Sequence, residues 1–246
     1  MISAIILTHN SQAYLKACLQ NLSFCQEIIV LDDYSTDKTR QLAQSLGAKV
    51  IKRYLDNDFA SQRNFGLKKA QHKWVLFIDS DEVISPALVK EIQSQVKSTA
   101  TNFNLKRQDW FLDRKLNFGE TSRVRLTRLV QPGTGQWQGK VHEIFKSKLP
   151  LKTLKQPLYH QRSLTIKDFL SRLNHYTDIR AQQLLDQHQS FKLFQLLIYP
   201  PAKFLQNYIL RLGFLDGFPG LSLAFLMSLH SLMVRIKLYD IQKKAS

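Results

Sequence analysis

Two cysteines, Cys18 and Cys25, are too few for a disulfide framework or a four-ligand zinc site. Cys18 falls on the apolar side of a predicted helix, where a reduced core thiol is the simple reading. Glycine and proline are also sparse, 9 and 7 among 246 residues, with no internal repeat and no low-complexity linker. A collagen-like or disordered polymer is therefore excluded, and a hydrophobic content of 44% is enough for a folded core. No G-x-G-x-x-G follows the first apolar run and no G-x-x-x-x-G-K-[ST] occurs anywhere, which counts strongly against dinucleotide dehydrogenases and P-loop NTPases. The segment Thr8-His9-Asn10-Ser11-Gln12 also lacks the glycine-rich, arginine-bearing loop a sugar nucleotidyltransferase wants there. The N-terminus has no basic region before its short apolar run Ala4–Leu7, so no secretory signal is read and a cytoplasmic protein is expected.

Acidic residues are scarce in the rear of the chain. The first hundred residues hold 12 basic and 10 acidic side chains and the remainder 23 and 9, so nearly all of the formal +16 lies behind residue 100. Such a field favours a polyanion: nucleic acid, anionic lipid headgroups or a phosphorylated glycan.

What the front half does contain is a series of short apolar runs without polar alternation, Ala4–Leu7, Ile28–Leu31, Lys49–Ile51 and Trp74–Ile78. That is the pattern of strands buried on both faces. Helix signals separate them: Asn10 or Ser11 as a cap before Tyr14, Ala17, Cys18 and Leu22; Ser35 as a cap with Asp37 in the first turn; and residues 59–71. The order βαβαβαβ predicts a parallel, Rossmann-like sheet, with ligands beyond the carboxyl ends of the strands. The most polar residues stand there: Thr8-His9-Asn10, Asp32-Asp33-Tyr34-Ser35-Thr36-Asp37, and Asp79-Ser80-Asp81-Glu82.

Carboxylates at the end of a buried strand need compensating cations. A divalent metal bridging phosphate oxygens to Asp79 and Asp81 meets that need, since Mg²⁺ and Mn²⁺ take one or two carboxylates and keep room for phosphates. In an extended segment the two side chains face the same way, so both carboxylates can serve one ion. The plainer reading of Thr8, Ser35 and Asp37 is that they cap turns and helices.

Four segments in order resemble family 2 glycosyltransferases with the GT-A fold: Ser3–Asn10, Val30–Thr39, Ala60–Gly66 and Val75–Glu82. The resemblance implies a GT-A, α/β fold, a Rossmann-like mostly parallel sheet flanked by helices, and inverting transfer from a nucleotide-sugar donor. It also implies that Thr8 and Asp32/Asp33 line the base and ribose pocket and that Arg63 lies near the base or the pyrophosphate. Asp79 and Asp81 would meet ribose and metal. Tyr34 departs from the family, whose usual residue there is Gly.

In the back half, Ser85-Pro86 starts a helix, and Phe103–Leu105, Val124–Val130 and Val141–Phe145 read as strands of an acceptor half. Alternation puts Arg123 and Arg125 on one strand face, as candidate acceptor contacts, and Arg128 on the other. Trp110 and Trp137 offer flat faces for sugar rings or serve as core. Inverting transfer needs a base for the acceptor hydroxyl. The segment from Trp137 through Gly139-Lys140-Val141-His142-Glu143 resembles the W-x-G-x-V-H-E stretch of the lipopolysaccharide core branch. It implies Glu143 as base and His142 as its neighbour; Asp109 and Glu120 are rival bases in weaker context, and the plainer reading of Glu143 is an ion pair with a nearby Arg or Lys.

A helical stretch follows from Thr165 to about Gln189, then an apolar segment broken at Pro200-Pro201, then Gly213–Leu221 and a last apolar run Leu221–Val234. That run, shorter than the roughly 20 residues a membrane crossing needs, predicts interfacial attachment, with Lys192, Lys203, Arg211, Arg235 and Lys237 at its borders. Gly213–Leu221 also resembles the G-F-L-D-G-x-x-G-L pattern of lipopolysaccharide core glucosyltransferases.

The expected organisation is a GT-A domain over 1–160, its nucleotide-sugar half 1–100 and acceptor half 101–160, and a basic helical, membrane-associating extension over 161–246. The expected activity is hexose transfer, glucose from UDP-glucose, with Mg²⁺ or Mn²⁺, to a phosphorylated glycan or glycolipid acceptor on the inner face of the cytoplasmic membrane. No nucleic-acid partner is expected. The rival readings are a non-catalytic polyanion binder and a nucleotidyltransferase.

Overall fold

The structure is a computed structural model describing residues 1–97, 100–140, 143–160 and 166–245. The chain divides into two compact units, Met1–Gln108 with Val124–Arg162, and Asp109–Arg123 with Ser163–Ser246. The second unit thus includes a segment from the middle of the chain as well as the C-terminal helices.

The first unit runs β1 (Ile2–Thr8), α1 (Gln12–Gln20), β2 (Glu27–Asp32), α2 (Thr39–Ser45), β3 (Lys49–Lys52), α3 (Phe59–Lys69), β4 (Trp74–Asp79), β5 (Glu82–Ile84), α4 (Pro86–Gln95) and β6 (Asn102–Gln108). In the second unit lie the short strands β7 (Trp110–Phe111) and β8 (Arg114–Lys115). The first resumes with β9 (Arg125–Val130), β10 (Gly135–Gln138), β11 (Ile144–Ser147) and β12 (Leu151–His160). Eight strands form one sheet in the order β3-β2-β1-β4-β9-β6-β12-β5. The first four are mutually parallel, as the βαβ order requires, while β9 runs antiparallel to both β4 and β6. The acceptor-half strands predicted around 103–105 and 124–130 therefore extend the same sheet.

The central strands lack polar alternation because both faces are covered. Ala4, Ile6, Val30, Leu76 and Ile78 pack with Leu15, Leu19, Leu88 and Ile92 of α1 and α4. Ile5, Ile29, Leu31, Val75 and Phe77 face the other way, toward Ala60 of α3 and toward Trp137 and Phe145 of the β10–β11 hairpin. Each such fully buried side chain contributes about 1.5–3 kcal/mol over its exposed state. Gly66 lets α3 lie directly on β1, because a Cβ there would stand 2.6 Å from Ile5 Cγ2.

Helix starts differ from the sequence expectation in one place. Helix α4 begins as read, with Ser85 accepting from the Leu88 amide at 3.1 Å and Pro86 in the first turn. Helix α2 starts at Thr39, not after Ser35. The residues between are spent on a turn, where Asn10 Oδ1 accepts from the Thr36 amide at 2.8 Å and Asp37 Oδ1 from the Thr39 amide at 2.9 Å.

The second unit is mainly three helices, α5 (Ile166–Asp186), α6 (Leu193–Leu205) and α7 (Phe218–Ala245). The prolines at 200 and 201 lie inside α6, so the break expected there does not occur; the Ser228 hydroxyl donates to the Pro200 carbonyl at 2.7 Å. The last apolar run is likewise part of a longer element. Helix α7 has 28 residues and, by length and composition, is long and apolar enough to cross a membrane, where the 14-residue run alone reads as too short. Val234 and Leu238 of α7 pack against Ala181 and Leu184 of α5.

The Gly213–Leu221 pattern closes this unit on itself. Both oxygens of buried Asp216 accept from the backbone amide of Asn117 at 3.1 Å, and one also from Phe118 at 2.9 Å. A Cβ on Gly220 would fall 2.0 Å from the Gly213 carbonyl oxygen, so the two glycine backbones meet with no room for side chains.

Candidate active site

The carboxyl ends of β1, β2 and β4 bring the expected donor residues together, in different environments. Asp32 is fully buried and structural in its contacts, accepting from the Ser35 amide at 3.0 Å and the Ser35 hydroxyl at 2.5 Å, with Arg40 Nε at 3.8 Å. Thr8 is buried beside it, its hydroxyl 3.4 Å from Asp32 Oδ1. Asp33 is the more open carboxylate, taking the Leu55 amide at 3.0 Å with His9 Nδ1 3.7 Å away. Tyr34 holds φ +48°, the left-handed conformation that a glycine adopts without strain. Its exposed ring stacks on Tyr54, centroids 3.8 Å apart and planes 12° from parallel.

At the end of β4 the chain does not stay extended. Ser80 and Asp81 form a turn into β5, so the alternation that would point Asp79 and Asp81 the same way is broken. Asp79 instead sits between two guanidinium groups, Arg63 Nη2 at 2.9 Å on Oδ1 and Arg128 Nη2 on Oδ2. Arg63 of α3 and Arg128 of β9 are both buried. Arg63 also donates from Nε to Glu143 Oε1 at 2.7 Å, so one guanidinium holds the strand-end aspartate and the expected base together. Arg128 Nη2 lies 3.4 Å from Glu82, which accepts from the Asp79 amide at 2.9 Å.

Burial alone would raise the Asp79 pKa, but the charges of Arg128 and Arg63 outweigh it and hold the carboxyl well below the usual carboxylate range. Glu82 goes the other way. Burial raises it, Arg128 opposes, and the neighbouring Asp79 charge raises it further. Burial would lower the Arg128 pKa, yet Asp79, Glu82 and Glu143 together raise it. The two guanidiniums stand among Asp79, Glu82 and Glu143, the compensation that a buried charge cluster needs.

Asp81 points to a different partner. Its Oδ2 lies 3.3 Å from Nε2 of His160, at the end of β12 where that strand pairs antiparallel with β5. No group of three or more His, Cys, Asp or Glu suited to a metal exists among the described residues. An oxygen and an imidazole nitrogen do suit an ion that takes few protein ligands and fills its shell with water and phosphate oxygens. Asp79, whose two oxygens are engaged by arginines, suits that place less well; with a side chain 33% exposed and lone pairs left over, it can still accept from a ligand hydroxyl.

The remaining expected residues separate. His142 lies outside the described residues. Trp137 is only 5% exposed, packed edge-on against Phe77 and Phe145 with the Arg63 guanidinium 5.1 Å above its ring, so its faces are not open to a sugar. Arg123 ends a 3₁₀ turn in the second unit while the exposed Arg125 opens β9 in the first, so they share no strand face. Among the rival bases, Glu120 is bound in the second unit by Lys203 at 2.8 Å and Arg211 at 3.7 Å; buried Asp109 is in that unit too. Trp110 is partly exposed there.

Arg128, Glu82 and His160 were not singled out from sequence for the site. Arg128 carried a usable signal: three residues from Arg125 on a strand, it turns to the opposite face, where a buried arginine demands a carboxylate. His160 carried none, because its approach to Asp81 depends on the non-local pairing of β12 with β5.

The family model described as Glycosyl transferase family 2 matches residues 3–154. The lipopolysaccharide core biosynthesis glycosyltransferase LpsC of Rhizobium meliloti (strain 1021) is 26% identical over 242 residues, covering 92% of this chain and 89% of its own length. An uncharacterized glycosyltransferase of Rickettsia bellii (strain RML369-C) is 26% identical over 242 residues, covering 89% and 79%. Of solved structures, Staphylococcus aureus TarS 1-349 in complex with UDP superposes with a TM-score of 0.48 at 18% identity, covering 100% of this chain and 92% of that one. Glucosyl-3-phosphoglycerate synthase from Mycobacterium tuberculosis, solved with Mn²⁺, UDP and glucosyl-3-phosphoglycerate, gives 0.38 at 22% identity over 45% and 44%.

Proposed function

This chain belongs to glycosyl transferase family 2, transferases that use nucleotide-sugar donors, and from that premise we propose an inverting, metal-assisted hexosyltransferase that works on a membrane-borne acceptor. The observation that carries the proposal is the constellation at the end of β4: Arg63 holding Asp79 and Glu143 at once, with Asp81 facing His160. Asp33 and the Tyr34–Tyr54 stack would flank the base, and Asp79 would accept from a ribose hydroxyl. Thr8 and Asp32 support that rim from beneath through the Ser35 turn.

Asp81 and His160 would hold Mg²⁺ or Mn²⁺, which supplies positive charge for the departing nucleoside diphosphate. Glu143 would take the proton of the attacking acceptor hydroxyl, its carboxylate oriented by Arg63. Because Arg63 and Arg128 are fixed by burial and by their carboxylates, this arrangement is set before substrate arrives, the condition under which electrostatic stabilisation is most effective. Glucose from UDP-glucose as donor and a phosphate-bearing lipopolysaccharide core as acceptor follow from the motif pattern; the relative LpsC, named for lipopolysaccharide core biosynthesis, supports the core acceptor alone.

The second unit supports membrane attachment. Leu197, Leu210 and Phe218 are 68, 75 and 71% exposed, amid further exposed apolar residues such as Leu193, Phe194 and Leu215. An apolar surface of this kind, in the strongly basic rear of the chain, fits the inner face of an anionic cytoplasmic membrane.

The test is turnover measured as UDP release. Glu143→Gln is expected to lower kcat by about 10²–10⁴-fold with little change in donor KM. Wild-type kcat in that variant would remove Glu143 as the base. Release of pyrophosphate in place of UDP would turn the reading to nucleotidyl transfer.

A further inference from the structure

Along α3, Ser61, Asn64, Phe65 and Lys68 recur at helical spacing on a side other than that of Arg63, and there they line a cleft of about 580 Å³ facing the segment that follows β10. Three cations border it, Arg53, Lys68 and Lys140, against one carboxylate, Asp58, whose Oδ1 is taken by the Ser61 amide at 2.8 Å. Arg53 is held in place by Gln62 and by the Ser61 hydroxyl at 2.7 Å, its guanidinium 5.1 Å over the Phe65 ring. The Asn64 side chain pins Trp137 by donating to its carbonyl and accepting from its amide, both at 2.9 Å.

Trp137 forms part of the wall, and its indole Nε1–H is buried with no hydrogen-bond acceptor among the described residues. A buried donor left without an acceptor is a standing penalty that a ligand oxygen would remove. The cleft is thus rich in donors, poor in acceptors, and carries one aromatic surface. Lys140 is three residues from Glu143, so the chain keeps their Cα atoms within ~11 Å.

We propose that this cleft is a subsite for a negatively charged sugar unit of the acceptor, bearing phosphate or carboxylate, adjacent to the unit whose hydroxyl is attacked. The cations take the oxyanion, and the indole N–H takes one of its oxygens. The role in acceptor selection rests on the transferase reading; the binding itself does not. Anchoring a remote charged group supplies binding energy that positions the reacting hydroxyl.

The experiment is an NMR titration of the Trp137 indole N–H in the full chain, assigned with Trp137→Phe, against glucose 6-phosphate, glucuronate, inorganic phosphate and glucose, with calorimetry in parallel. A saturable shift is expected with at least one charged sugar and none with glucose; which one responds identifies the anion. The exposed pair Lys68→Gln/Lys140→Gln should weaken that binding about tenfold or more, as loss of charge-assisted contacts does, and leave UDP affinity unchanged. No shift with either charged sugar, equal binding by the lysine variant, or inorganic phosphate binding as tightly as the hexose phosphate would overturn the proposal. Failure of UDP to bind, with the sugar titration intact, would instead strike at the transferase reading.

Discussion

The two units place their apolar residues in opposite ways. In the first, Ile5, Ile6, Leu31, Leu76 and Phe77 are fully buried between helices, and the charged groups Arg63, Arg128 and Glu82 are buried with them. In the second, leucines and phenylalanines of α6, the segment after it and the start of α7 stand in the open. The first unit thus uses its hydrophobic surface to build a sheet that fixes a charged site, while the second leaves much of its own uncovered, the surface on which the proposed membrane attachment rests.

The largest effect should come from breaking the buried charge cluster. Arg128→Ala leaves buried Glu82 without its cation and Asp79 with Arg63 alone, and removal of one partner from a buried pair costs about 3–5 kcal/mol. Chemical denaturation followed by fluorescence of Trp74 and Trp137 would show the loss. A midpoint unchanged from wild type would mean that the cluster is not built as described.

The matching change in the second unit should leave the fold alone and act on binding. Replacing Leu210 and Phe218 with Ser removes two exposed apolar side chains, each contributing about 1.5–3 kcal/mol when buried in lipid. Sedimentation with phosphatidylglycerol vesicles should fall by tenfold or more at unchanged melting temperature. Equal sedimentation would sink the membrane assignment for this surface.

A smaller effect is set by pH. Asp79 has a carboxyl held below its ordinary value, so it contributes stability above the unfolded-state value that is lost as pH falls toward the folded one. The stability of the first unit should therefore drop on acidification below about pH 4, where a free Asp begins to protonate, and the slope should flatten in Asp79→Asn. An unchanged slope would show that Asp79 is not paired in solution.

The sheet was legible in the sequence because burial on both faces writes itself as unbroken apolar runs, and the residues of β1, β2 and β4 read correctly as strands. The site was legible only in part. Strand ends named Thr8, Asp33 and Asp79, since position alone marks them. The approach of Arg63 and Arg128 to Asp79 and the pairing of β12 with β5 are non-local, and with the turn at Ser80-Asp81 they decide that Asp79 faces arginines and Asp81 faces His160. The prolines of α6 misled for a different reason: packing within the second unit overrides their cost, and a local reading cannot see it.

Titration calorimetry of UDP with and without Mn²⁺, on wild type, Asp81→Asn and His160→Ala, asks whether Asp81 and His160 hold the metal that binds the donor. Mn²⁺ should strengthen UDP binding to the wild type by tenfold or more, and either substitution should abolish that gain while weak metal-free binding stays. Equal gains in all three proteins, or none in the wild type, would contradict that role.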